Sequence, residues 1–211
     1  MQYVHFGHSC VLAETAGARI LFDPGSFSRG FEDLRDLDAV LITHQHHDHL
    51  DGERLTALLR ANPRAELIID PGSQDAVEKL GLPSKTALPG DTFAFGGTGI
   101  DVVGGQHAVI HRDLPVVPNV GYLLDEGAFY HPGDALFVPE QQVDVLGLPT
   151  AAPWLKASEA VDFLRAVAPR VAVPIHEKVL AVPEMMYGMF TNLGPDGTEV
   201  KVLSEGEPTK L

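Results

Sequence analysis

The sequence predicts an α+β fold in which β-sheets are covered by helices. Short apolar or alternating runs outnumber helical patterns, several of these runs come in hairpin-like groups, and a helix late in the chain runs straight into a strand. A single doubly wound parallel sheet would instead alternate strand and helix throughout.

In chain order, residues 2–6, 10–14, 18–22, 39–43 and 67–70 read as strands, each bounded by Gly, Pro or Asp. Residues 53–61 place Leu55, Leu58 and Leu59 on one helical face, and residues 73–80 form a second helix that stops at Gly81. Residues 92–95 pair with 100–103, and 121–124 with 128–130, as expected hairpins. A third helix over 158–168 carries an apolar stripe of Val161, Leu164, Val167 and Ala168. Ser158 is its expected N-cap, and Pro169 stops it before a strand at 170–174. The stretches 108–119, 149–156 and 182–195 are Pro- or Met-rich and apolar, and are expected to be irregular walls of a pocket.

With 211 residues and 45% hydrophobic content, the chain is long enough for one well-buried core, so one domain over 1–211 is expected. The 15 basic and 29 acidic residues leave a net charge of −14, which repels nucleic acid and anionic lipid surfaces. No apolar run reaches the roughly 20 residues of a membrane span. The first residues lack the basic flank and apolar run of an export signal, and the one cysteine, Cys10, excludes an internal disulfide. A reducing cytoplasm is the expected location, with a small molecule as the expected partner.

The chemistry concentrates after the strand at 39–43, whose apolar residues lead into His44, Gln45, His46, His47, Asp48 and His49. In an extended segment, side chains two apart point the same way, so His44 and His46 can grip one ion together. Asp48 and His49 follow at a turn before a helix, where they can face a neighbouring position. A histidine-rich solvated loop is the competing reading. The apolar strand in front, the aspartate inside the run and the isolated histidines downstream favour a metal site. Alternation turns His47 away, toward the surface.

The pattern His44-x-His46-x-Asp48-His49 resembles the signature of the metallo-β-lactamase superfamily, and further motifs follow in that superfamily's order. Asp23 in Phe22-Asp23-Pro24 resembles the aspartate that braces the metal loop without binding metal. His107 after Gly104-Gly105-Gln106, Asp134 in His131-Pro132-Gly133-Asp134, and His176 in Pro174-Ile175-His176 match its later ligands. The resemblance implies a four-layer αββα sandwich with a metal site along one edge of two mixed sheets. It implies one ion on His44, His46 and His107, a second on Asp48, His49 and His176, and Asp134 bridging, with Asp48 and Asp134 as the catalytic carboxylates. Two ions about 3.5–4 Å apart can polarise a substrate oxygen and share a hydroxide, and zinc brings a water's pKa to about 7. Zinc is therefore the expected cofactor, with manganese and iron compatible with the same donors.

Within the superfamily, His46 stands where flavodiiron reductases carry a carboxylate, and no cysteine is placed to serve as in the lactamases that use one. The chain is most similar to small stand-alone hydrolases resembling L-ascorbate-6-phosphate lactonase. It differs from that branch over residues 148–156, which implies a different substrate pocket. Hydrolysis of a small ester, lactone or phosphodiester is the expected activity. A metal-stabilised scaffold and a mononuclear iron oxygenase are the alternatives. Each downstream residue also has a structural reading: His111 could replace His107, Asp134 could cap a turn, His176 could be a core histidine and Asp23 a turn former. Contact of His8, His111, Trp154, Lys156 or Lys178 with substrate stays open, as does homo-oligomerisation through the Met-rich tract.

Overall fold

The computed structural model describes residues 1–211 and contains two seven-stranded mixed sheets with helices on their outer faces. The first sheet is built from β1 (Gln2–His5), β2 (Val11–Glu14), β3 (Arg19–Phe22), β4 (Ala39–Ile42), β5 (Glu66–Ile69), β6 (Lys85–Thr86) and a closing strand, β14 (Thr209–Lys210). Its order is β14-β1-β2-β3-β4-β5-β6. The second contains β7 (Thr92–Phe95), β8 (Thr98–Gln106), β9 (Pro118–Leu124), β10 (Phe129–His131), β11 (Val145–Pro149), β12 (Val171–Ile175) and β13 (Glu199–Val200), ordered β13-β12-β11-β10-β9-β8-β7. Each sheet opens with antiparallel hairpins and continues as parallel strands: β3 to β6 in the first, β10 to β13 in the second.

Three apolar clusters define the layers. Between the sheets lie Phe22, Leu41, Ile68, Tyr122, Phe129 and Val173, among others. On the outer face of the first sheet, Val40, Ile42 and Ile69 meet Leu55 and Leu58 of α1 (Gly52–Ala61) and Val77 of α2 (Gln74–Lys79). On the outer face of the second, Leu146 and Leu148 meet Val161, Phe163 and Leu164 of α3 (Ala157–Val167) and Phe190 of α4 (Glu184–Leu193). The expected αββα sandwich is therefore present. Strand β4 is buried on both faces, because Ala39 and Leu41 point between the sheets while Val40 and Ile42 point under α1.

Both expected hairpins form, with Phe93 opposite Ile100 and Leu124 opposite Phe129. Other segments differ from the sequence reading. The stretch 182–195 contains a helix rather than an irregular wall. Gly188 interrupts its propensity, and its periodic face is short, yet Met186, Met189 and Phe190 pack on the α3 layer while Met185 is exposed. Strand β9 begins at Pro118, inside the expected irregular stretch 108–119, and β11 was not foreseen as a strand. Ser158 lies inside α3. The cap is Lys156, whose backbone N–H donates to the Glu159 carboxylate at 3.0 Å, and Ala168 ends the helix in the left-handed region before Pro169. No helix is long and apolar enough to cross a membrane.

Candidate metal centre

The C-terminal ends of the parallel strands open onto one edge of the sandwich, the place where open α/β sheets expose polar groups. The backbone beyond β4 delivers His44 to His49. Beyond β3 comes Asp23, beyond β8 His107, beyond β10 Asp134, and beyond β12 His176. The sheets are tied together at this edge: the Tyr122 hydroxyl donates to Ile42 O and the Val120 N–H to Thr43 O, both at 2.9 Å.

Glycine makes two close approaches possible. A Cβ on Gly25 would lie 1.7 Å from Asp48 O and 2.4 Å from His49 N, so only glycine lets the loop after Asp23 lie against the histidine-rich turn. Gly133, at φ +62, would carry a Cβ 2.3 Å from Asn119 Oδ1 and 2.7 Å from Thr43 Cβ. Its absence allows Asn119 to accept the Asp134 N–H at 2.9 Å and donate to Pro132 O at 2.9 Å, fixing the turn that carries Asp134.

The seven side chains foreseen from the sequence come together in two touching groups. His44, His46, His107 and Asp134 form one, and Asp48, His49 and His176 form the other together with His8; within each group the donor atoms lie within 4.8 Å of one another. Asp134 stands between them, its Oδ1 3.1 Å from His49 Nε2 and its Oδ2 3.2 Å from His176 Nε2 and 3.4 Å from His107 Nε2. His46 and Asp48 are the only partly exposed members, so solvent reaches the cluster on their side. His47 is exposed, as its alternation implied, and His111 is exposed, its ring accepting the Asp113 N–H at 3.2 Å away from both groups.

The tautomers can be read from the partners. His107 Nδ1 lies 2.5 Å from Ala108 O, and His176 Nδ1 lies 2.6 Å from Ala151 O. A carbonyl only accepts, so both Nδ1 atoms carry the hydrogen. His49 Nδ1 donates to Asp23 Oδ2 at 2.7 Å. The Thr43 hydroxyl donates to the same oxygen at 2.7 Å, which leaves Thr43 Oγ1 to accept from His44 Nδ1 at 3.1 Å. Asp23 also accepts the Thr43 N–H at 2.8 Å, so it braces the loop as the family resemblance implied while staying behind the cluster. Each ring thus turns its Nε2 lone pair inward, toward carboxylate oxygens.

That arrangement is repulsive unless positive charge, from a cation or from protons on the rings, sits among the nitrogens. His49, His107 and His176 Nε2 and Asp134 Oδ1 are buried without any partner of hydrogen-bond geometry. Such orphaned buried atoms are rare and require explanation. Titration behaviour reflects the same demand. Although burial favours its neutral form, Asp134 is held well below the usual carboxylate range by the His49 and His176 charges. Burial pulls His49 down, but Asp134 and Asp23 together drive it well above the ordinary histidine value. Burial keeps His44 well below that value. The pit therefore holds an ionised carboxylate surrounded by nitrogens, and the donor chemistry fits divalent transition metals.

Sequence reasoning left three participants open or unnamed. Trp154 donates its indole N–H to Asp134 Oδ2 at 2.9 Å, a direct contact with the central carboxylate. Asn119 holds the Asp134 turn, and nothing local in the sequence marks it. His8 joins the second group, where the sequence had left only its contact with substrate open. His131 is structural: its Nε2 donates to Ser9 O at 2.9 Å, its Nδ1 accepts the Gly133 N–H at 3.2 Å, and its ring stacks on Phe22. Lys156 pairs with Glu159, and Lys178 with Glu205.

Comparison with known proteins agrees with this architecture. The family model described as "Beta-lactamase superfamily domain" matches residues 2–176. The chain belongs to the metallo-β-lactamase superfamily. Over 211 residues it is 50% identical to Protein Rv0786c of Mycobacterium tuberculosis, covering 97% of both chains. It is 28% identical over 228 residues to a protein of Enterococcus faecalis named UPF0173 metal-dependent hydrolase, covering 98% of each. Among solved structures, Igni18, described as a metallo hydrolase from Ignicoccus hospitalis, superposes with a TM-score of 0.77 at 23% identity, covering 99% of this chain and 97% of that one.

Proposed function

We propose that this protein is a metal-dependent hydrolase whose one domain, residues 1–211, holds two divalent cations, zinc in the first instance, and cleaves a small ester, lactone or phosphodiester. His44, His46 and His107 would hold one cation, Asp48, His49 and His176 the other, and Asp134 would face both. The observation that carries this reading is the convergence of His49, His107 and His176 Nε2 on Asp134, three buried nitrogens without a partner of hydrogen-bond geometry. The metal-dependent hydrolase name of the Enterococcus relative supports the same class of activity.

When bound, the cations supply Lewis-acid polarisation of a substrate oxygen and a water acidified to a pKa of about 7. The protein's own groups do the rest. Asp23, Ala108 O and Ala151 O hold the imidazoles in one tautomer and orientation. Trp154 fixes Asp134 from behind. Asp48, kept ionised despite burial by the neighbouring imidazoles of His8 and His49, lies on the solvent side and is the carboxylate placed to take a proton from water.

The decisive experiment combines metal analysis with turnover on ester, lactone and phosphodiester panels. About two ions per chain are expected, with activity lost on chelation, restored by zinc, and reduced by about 10³-fold or more in Asp134→Asn. Full turnover by metal-stripped protein would overturn the proposal. No turnover on any panel, with metal-dependent thermal stability, would favour a scaffold instead.

A further inference from the structure

His8 lies in the turn between β1 and β2 at φ +53, a left-handed conformation that is strained for a residue other than glycine. The surrounding structure holds it there. Glu177 Oε1 accepts its N–H at 2.9 Å, and its carbonyl accepts the His176 N–H and the His5 Nε2–H, each at 2.9 Å. The side chain is 0% exposed, and Nδ1 has no partner. His176 and Asp23 adopt the same left-handed region, at φ +60 and +44, so strained positions gather around the metal centre.

The direction of approach separates His8 from the groups that merely brace the cluster. Asp23, Ala108 O and Ala151 O meet the outer Nδ1 atoms of their histidines. His8 Nε2 instead lies 3.0 Å from Asp48 Oδ2, the same oxygen that stands 3.6 Å from His176 Nε2 and 3.9 Å from His49 Nε2. Its ring centroid is 4.0 Å from that of His176 and 5.6 Å from that of His49.

We propose that His8 is a nitrogen donor to the cation beside Asp48, which makes that donor set His8, Asp48, His49 and His176. This inference rests on the two-cation reading above. Each cation position then has three imidazoles and one carboxylate, since the other group is His44, His46, His107 and Asp134. A set so rich in nitrogen selects zinc, cobalt or iron over magnesium or calcium, which prefer oxygen donors.

The test is His8→Gly, because glycine adopts the left-handed turn without strain and keeps the main-chain bonds while deleting the ring. Metal-stripped protein is titrated with Zn²⁺ against a chromophoric chelator, and with Co²⁺ while its visible absorption is followed. Wild-type protein is expected to show two sites. The variant is expected to keep one at wild-type affinity and to lose about 100-fold or more at the other, with a changed cobalt spectrum there. Two sites of unaltered affinity and spectrum would overturn the assignment even if turnover fell, and so would equal weakening of both. Absence of metal binding by the wild type is a different result and would sink the hydrolase reading itself. Should His8→Gly fail to fold by circular dichroism, His8→Asn, which also tolerates this backbone region, is titrated in the same way with the same criteria.

Discussion

In the first sheet, His44, His46, Asp48 and His49 all follow one strand, β4, and a single buried carboxylate, Asp23, braces the loop that carries them. In the second sheet, His107, Asp134 and His176 arrive from three separate strand ends. There the braces are the backbone carbonyls of Ala108 and Ala151 and the indole of Trp154. A carbonyl brace survives any substitution that keeps the backbone in place, whereas a carboxylate brace is lost with one atom. The first half of the centre is thus compact and exposed to point mutation. The second is dispersed and buffered by the fold.

The sharpest way to break this comparison is at the seam between the halves. Phe22 of β3 is fully buried, and its ring lies 5.4 Å from Phe129, 6.2 Å from Tyr122 and 5.3 Å from His131, all from the second sheet. Phe22→Ala is expected to cost about 3–5 kcal/mol, read from urea unfolding of metal-stripped protein. If the sheets fold as one cooperative body, tryptophan fluorescence and circular dichroism will fall together in one transition. Two separated transitions would show that the halves unfold independently.

A smaller effect, confined to the first half, is expected from Asp23→Asn. Asparagine has the same shape and tolerates the left-handed backbone seen at φ +44. It cannot, however, accept from Thr43 N, Thr43 Oγ1 and His49 Nδ1 together, and an amide nitrogen facing Nδ1 forces His49 to turn an N–H inward. Metal affinity is expected to fall about 10–100-fold. The metal-stripped protein is expected to lose about 1–3 kcal/mol for its buried groups left without partners. Unchanged metal affinity in a chelator competition would mean that Asp23 is only a turn former.

The same asymmetry decided what could be read from the sequence. The apolar run Ala39-Val40-Leu41-Ile42 followed by a dense polar cluster is a local signal, so strand, turn and first ligands were legible from spacing alone. His107, Asp134 and His176 are single residues after ordinary strands. Their convergence depends on pairings such as Val145 with Val171, which no local pattern reveals, and only the order of family motifs pointed to them. Helix α4 was missed because its packing on α3, not its own propensity, sustains it. The contact between Trp154 and Asp134 was illegible for the same reason, since twenty residues of chain separate the two and only the fold joins them.

That contact gives the smallest expected effect and the most direct comparison with Asp23. Trp154 donates to Asp134 Oδ2, and its ring lies 5.9 Å from that of His107. Trp154→Phe keeps the aromatic packing and deletes the donor. Asp134 keeps its backbone bond to Asn119, so the carboxylate stays in place with one oxygen freer to rotate. Metal affinity is expected to fall by about 10-fold, the low end for a residue that orients a ligand, with kcat lowered more than KM is raised. The metal-stripped variant is expected to lose about 1 kcal/mol, since a buried carboxylate oxygen gives up its donor. A lowered melting temperature with metal affinity intact would make Trp154 a packing residue and leave the carbonyls, with Asn119 at the Asp134 turn, as the braces of the second half.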